Sequence, residues 1–440
     1  MYSKKNSKKP FLITSALCMT VIILMFVVML KTGDNNSSQV AAASASATPS
    51  ATDLTSPAAS GESVTTGPAA TTSPTKAPIE TETPAPTSAP DDSSDIVSFT
   101  FTASGDNLIH SCLYEQAAAR GRQIGQKYDF KYCYKLVKGF FLDHDMNWIN
   151  QETLVNGTYA PAGYPNFSTP TQVVKDLRED GFTVFNTASN HSYDKLSGGL
   201  SASMDFWNKM ARKGEGKDAY QVGIVKRSKP LPQLIREING VKVGFLSYTY
   251  GTNGISIASD STYRVVTLSE RSLIQKQVKA LRKKVDVVMV SCHWGVENSH
   301  TISSDQKSLA KDLVEWGADV IIGTHPHVLQ DCSWIKSGGR KGFCAYSLGN
   351  FISGQVETDQ ILGGTLHCTI DVNKKTGIVK IRKPKLKPVV TIYGSGRSGI
   401  HVKWLAEYSS DDAAFQSSHI SQASFINLAK RVVKKKFLDI

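Results

Sequence analysis

ADVIIGTHPH, residues 318–327, sets a short apolar run, Val320-Ile321-Ile322, directly before Gly323, Thr324, His325, Pro326 and His327. A run this short and this β-branched reads as a buried strand. Its end delivers two histidines separated by one proline. In an extended segment alternate residues share a face, so His325 and His327 are expected to turn their rings toward one point. Pro326 fixes φ between them and stiffens the pair.

The same arrangement recurs outward in both directions. VDVVMVS, from residue 285, runs into Cys292-His293-Trp294-Gly295-Val296-Glu297. FTVFNTAS, from residue 182, runs into Asn190-His191-Ser192-Tyr193-Asp194. IVSFTFTAS, from residue 96, runs into Gly105-Asp106-Asn107-Leu108-Ile109-His110, and FCAYS, from residue 343, into Leu348-Gly349-Asn350-Phe351. Helical patterns fall between these strands, near residues 170–180, 201–212, 267–284 and 303–316. The alternation predicts an α/β fold with buried sheet strands. Such sheets bind ligands at the carboxyl ends of their strands, where the loops converge. Each motif alone has an ordinary structural reading: a Gly-Asp turn, a hydrogen-bonded loop pair, a packed core histidine. Five strand ends that all deliver Asp, Asn, His or Glu point instead to one metal site. Imidazole, carboxylate and amide oxygen together suit Zn, Mn or Fe better than Ca.

Taken with Asn150-Gln151-Glu152, these motifs resemble the CapA/PgsA family of poly-gamma-glutamate capsule biosynthesis, a branch of the calcineurin-like metallophosphoesterase superfamily. The matching residues stand in the family's order across most of residues 96–355. The resemblance implies a four-layer α/β/β/α sandwich with a centre of two divalent transition-metal ions at the strand ends. It implies that Asp106, Glu152, Asn190, His293, His325 and His327 are the metal ligands, Glu152 taking the place of a bridging aspartate. It gives His191 the role of general acid or oxyanion stabiliser, with Asp194 as its orienting carboxylate or a loop cap. Two departures stand out. The superfamily's Asp-x-His is absent, leaving His110, four residues after Asp106, as a further possible ligand. Glu152 is also one methylene longer than the usual aspartate.

Outside that body the chain changes character. Residues 1–10 carry Lys4, Lys5, Lys8 and Lys9, and residues 11–30 form an uncharged apolar run of about the length that spans a bilayer as a helix. The lysine asymmetry orients such a segment with its C-terminal side outward, as a single-pass signal-anchor in the cell membrane; a cleaved signal peptide is the rival reading. Residues 31–95, rich in Ser, Thr, Ala and Pro, have too few large apolar residues to offset the entropy of ordering and read as a disordered stalk. The extracytoplasmic body is then 96–440, with a β-hairpin around Asn373–Gly377 and an amphipathic helix within Ser421–Phe437.

The formal charge of +12 gathers at the N-terminus, at Lys374–Lys387 and at Lys430–Lys436. It suits a membrane surface or a polyanion, and no nucleic-acid motif accompanies it. Seven cysteines without a CxxC exclude a zinc ribbon or thioredoxin-like site, while an extracytoplasmic body leaves room for disulfides. Two functions remain open. One is a metal-dependent hydrolase acting on a phosphorylated envelope substrate or an anionic polymer. The other is a non-catalytic polymer-binding or scaffold subunit beside membrane partners in a synthesis complex.

Overall fold

The computed structural model describes residues 95–211 and 218–440. The expected anchor at 11–30 and the stalk up to residue 94 lie outside the described residues. Among the described residues no helix is long and apolar enough to cross a membrane.

The body is a mixed α/β fold built on two large sheets. The first runs in the order His401–Trp404, Val379–Ile392, Leu362–Asn373, Ile96–Asn107, Met146–Asn150, Phe182–Asn186 and Tyr220–Val222, with Asn350–Ile352 pairing beside Asp106. The second runs Leu329–Ser337, Arg340–Leu348, Val320–Thr324, Val287–His293, Val241–Thr249 and Leu234–Ile238. In the second sheet the middle strands are parallel and antiparallel pairs occupy both edges, whereas in the first the strands from Ile96–Asn107 to the Tyr220–Val222 edge are parallel and those on the other side antiparallel. Parallel register is what gathers the polar strand ends. It sets Asp106 opposite Asn150 and Asn150 opposite Asn186 in one sheet. In the other it sets Thr249 opposite His293 and His293 opposite Thr324.

The near-continuous apolar runs are explained by burial on both faces. In Val287–His293, Val287 and Met289 join the core shared with Phe99 and Phe101 of the first sheet. Val288 and Val290 pack instead with Ile274, Val278 and Leu281 of the helix Arg271–Arg282 and with Leu309 and Leu313 of the helix Ser304–Trp316. Each such side chain contributes on the order of 1.5–3 kcal/mol. The helix Ser304–Trp316 starts at a capping box: Gln306 N donates to Ser303 Oγ (3.1 Å), and Ser303 N donates to Gln306 Oε1 (2.9 Å). It stops at Gly317, whose φ of 127° turns the chain into the Val320–Thr324 strand.

The expected hairpin forms between Leu362–Asn373 and Val379–Ile392, with Asn373 Oδ1 accepting from Lys375 N and Thr376 N at the turn. The C-terminal helix covers Gln422–Val432. The disulfide expectation does not hold for the described residues, whose six cysteines are all free thiols. Five of these are fully buried in apolar surroundings, where they pack as small hydrophobic side chains.

Candidate metal centre

The two histidines of the THPH motif do meet, by a route the sequence did not suggest. The strand ends at Thr324, and the following residues are not extended. His325 has φ of 96° and His327 of 60°, both left-handed. For a non-glycine residue this costs on the order of 1–3 kcal/mol, and it persists only where the surroundings dictate it. The bend, and not strand alternation, aims the rings. Gly323 permits the approach, since a Cβ there would lie 1.8 Å from Tyr346 O. Gly105 serves Asp106 in the same way, as a Cβ would lie 1.9 Å from Gly349 O.

Six sequence-singled residues converge from both sheets. Asp106, Glu152 and His293 form one group of potential ligand atoms lying within 4.8 Å of one another, and Glu152, His325 and His327 form another. Glu152 belongs to both. Its Oε1 lies 3.8 Å from His293 Nε2 and 3.8 Å from His327 Nε2. His327 Nδ1 lies 3.0 Å from Asp106 Oδ2. Asn190 enters from the 3-10 turn Asn190–Tyr193, which Ser189 caps, and its Oδ1 lies 2.8 Å from His293 Nε2. All six side chains are buried. Glu152 Oε1 and His325 Nδ1 have no hydrogen-bond partner. A buried carboxylate oxygen and a buried imidazole nitrogen are costly to leave unpaired, so residues that carry such atoms and gather into one cluster fit a bound cation.

The electrostatics divide the candidate ligands into two kinds. Burial, aided by the neighbouring Asp106 carboxylate, holds the Glu152 carboxyl well above the usual range, against the pull of His327. Burial opposes charge on His327, but the facing Glu152 and Asp106 carboxylates override it and raise the ring to about 9. Burial and the neighbouring His327 push His325 down to about 3. His293 is likewise held low, first by burial and then by His325. Deprotonated groups are the form that binds metal, so His293 and His325 are held ready, while His327 and Glu152 would each give up a proton to a bound cation.

His191 stands beside the ligand groups and not in them. Its Nδ1 is 2.8 Å from Asp194 Oδ2, and the same oxygen accepts from Phe167 N at 2.7 Å, so Asp194 both orients the ring and ties down a loop. His110 is in neither group. Its Nδ1 accepts from Gly354 N at 3.0 Å, its ring packs edge-on against Phe167, and burial lowers it to about 4.

Several residues around the site were given no role by sequence reasoning. Asn150 Nδ2 donates to Asp106 Oδ1 (2.7 Å) and reaches Glu152 Oε2 (3.4 Å). Asn186 donates to Asn150 Oδ1 at 2.6 Å and accepts from Ser247 Oγ of the other sheet. Thr324 Oγ1 lies 2.9 Å from His293 Nδ1. Tyr250 covers His325 with ring centres 4.5 Å apart, and Asn253 Oδ1 accepts from Asn190 Nδ2 at 3.0 Å. The signal for these was available: Val241–Thr249 is another strand running into polar residues, Tyr250 to Asn253, and Asn150 and Asn186 are the last residues of their strands.

The chain resembles proteins of known name. The capsule biosynthesis protein CapA of Bacillus anthracis is 32% identical over 194 residues, covering 43% of this chain and 44% of that protein. The PGA biosynthesis protein CapA of Bacillus subtilis (strain 168) is 28% identical over 190 residues, 43% of this chain and 47% of that one. The match thus spans less than half the length of either curated relative. Among solved structures, a phosphatase from Mycoplasma pneumoniae has a TM-score of 0.39 at 14% identity, over 67% of this chain and 94% of that one. The 5'-nucleotidase precursor of Thermus thermophilus has a TM-score of 0.40 at 14% identity, over 76% and 59%. A family profile described as bacterial capsule synthesis protein PGA_cap matches residues 100–355, more than half of the sequence, and the chain belongs to that family.

Proposed function

We propose that this chain is a membrane-anchored, extracytoplasmic component of capsule-polymer production. In this reading residues 96–440 form a four-layer sandwich of the metallophosphoesterase type, with a dinuclear hydrolase site. The observation that carries the site is the sharing of Glu152. Two ligand groups meet at one carboxylate whose inner oxygen has no other partner. Close contacts also link the two groups, Asp106 to His327, and bring Asn190 to His293. His325 lies nearer His293 than His327, with ring centres at 4.7 Å against 5.8 Å.

Two divalent ions so held, of Mn, Zn or Fe, would supply Lewis acidity toward a phosphoryl oxygen and an activated water at neutral pH. The protein's own contribution is positional. Asn150 spaces Asp106 from Glu152, Thr324 holds the His293 ring through Nδ1, and Asp194 keeps the Nδ1 proton of His191 in place. His191 Nε2 is then the atom that handles a proton at the leaving group. The substrate class is a phosphorylated or anionic envelope polymer or its precursor, met outside the membrane with subunits of a synthesis complex as neighbours.

Metal analysis of the full chain is expected to find about two transition-metal ions per molecule, together with hydrolysis of a generic phosphomonoester or phosphodiester that a chelator abolishes. Metal without hydrolysis under any ion would transfer the role to a polymer-binding scaffold. Protease added to intact cells should release the body by cutting between residues 31 and 95, and full protection would reverse the topology.

A further inference from the structure

Asn190 raises a problem of orientation. A side-chain amide can rotate by half a turn and exchange its oxygen for its nitrogen with almost no change of shape. Only the oxygen can bind a cation. In the structure Oδ1 points inward, 2.8 Å from His293 Nε2, and Nδ2 points outward. What faces Nδ2 is an acceptor: Asn253 Oδ1, at 3.0 Å. Asn253 is held in turn by Tyr250, whose hydroxyl lies 3.4 Å from the same oxygen. Its own amide nitrogen abuts His191 Nδ1 at 3.4 Å, although that ring nitrogen is already engaged by Asp194.

We propose that Asn253 is the positioning residue that keeps the Asn190 carbonyl oxygen turned toward the metal centre, an inference that rests on the dinuclear reading above. The choice of asparagine meets two demands. Asn253 has φ of 51°, a left-handed conformation that asparagine tolerates better than most residues. Its carbonyl is also the acceptor that makes the flipped Asn190 unfavourable, since the flipped form would set two carbonyl oxygens against each other. Asn253 sits on the exposed rim of the site, so its replacement removes little packing.

The test is a metal titration of the full chain and its variants. Asn253→Gly accepts the same backbone without strain and deletes only the amide; it is expected to weaken the second metal equivalent about tenfold or more, with unchanged melting of the metal-free protein. Asn253→Asp keeps an acceptor oxygen and is expected to retain affinity. The deciding arm replaces Asn190 itself. In Asn190→Asp both outer atoms are oxygens and there is no orientation to choose, so adding Asn253→Gly should then change affinity less than about twofold. Equal losses in the two backgrounds, or an Asn253→Gly variant that binds both ions as the parent does, would overturn the positioning role and leave the dinuclear reading standing. A parent chain that binds no metal would overturn both.

Discussion

Asp319 and Glu152 are both buried carboxylates beside sheet strands, and their surroundings could hardly differ more. Asp319 precedes the Val320–Thr324 strand. It is clamped by Arg282 Nη1 at 2.6 Å and Arg340 Nη2 at 3.0 Å, and it accepts from Val288 N at 2.8 Å. Glu152 lies at the opposite, carboxyl-terminal edge, with Asp106, three histidines, no lysine or arginine partner among the described residues and an unpaired inner oxygen. A buried charge that is fully paired holds structure together, and breaking such a pair is strongly destabilising. A buried carboxyl left unpaired holds its proton instead, and becomes a charge only where a ligand completes it. The two edges therefore differ in kind: one anchors strands and helices, the other leaves a buried carboxylate oxygen that the proposed cations would complete.

The contrast can be broken at either end. Asp319→Ala strands two guanidiniums and is expected to cost about 3–5 kcal/mol by denaturant melting. Whatever remains folded should keep its metal content. Glu152→Gln should do the reverse. Metal affinity is expected to fall on the order of a hundredfold or more, seen as loss of metal on dialysis, while the metal-free protein melts no lower than the parent. If Glu152→Gln destabilises the metal-free protein as much as Asp319→Ala does, the two edges do not differ in kind.

The centre can be sharpened internally by comparing two histidines. His191→Ala is expected to leave metal content intact and to lower hydrolysis by about 3 kcal/mol, roughly a hundredfold. His325→Ala should lower both. Equal metal loss in the two variants would make His191 a ligand.

The smallest effect concerns a carboxylate of intermediate kind. Asp176 is buried and accepts from Phe130 N (2.7 Å) and Gln172 Nε2 (2.8 Å), with no cation in direct contact among the described residues. Burial raises its carboxyl to about 6. The folded state thus holds the proton more tightly than the unfolded chain, where the value is about 3.9. The stability this adds is fully present below about pH 4 and is lost as pH rises through about 6. Asp176→Asn should therefore gain on the parent across that window, by on the order of 2 kcal/mol, and hold a constant difference above it. A pH-independent difference in melting would show that hydrogen bonding and not charge governs the position.

Much of this was legible in the sequence because the relevant signals are local. The strands at 96, 182, 287 and 320 are apolar runs that any sheet buried on both faces requires, and the polar residues just past them follow from where such sheets bind ligands. Asn150 and Asn186 were harder to read. Each looks like an ordinary strand-ending amide until the facing sheet brings Ser247 to Asn186 and the neighbouring strand brings Asp106 to Asn150. The Asn190–Asn253 contact joins residues 63 positions apart, and no periodicity marks it.

The candidate ligand residues, their attachment to strand ends and the family itself followed from the chain's own order of residues and its resemblance to that family. Those depend on hydrophobic pattern and on motif chemistry, both written locally. How these candidate ligands meet was decided only in three dimensions. His325 and His327 converge through two left-handed backbone angles that neither residue prefers. Glu152 is shared because two separate sheets abut at their carboxyl edges. An unfavourable φ and an unpaired carboxylate persist only when many distant contacts over-determine them, and those contacts exist only once the sheets have packed.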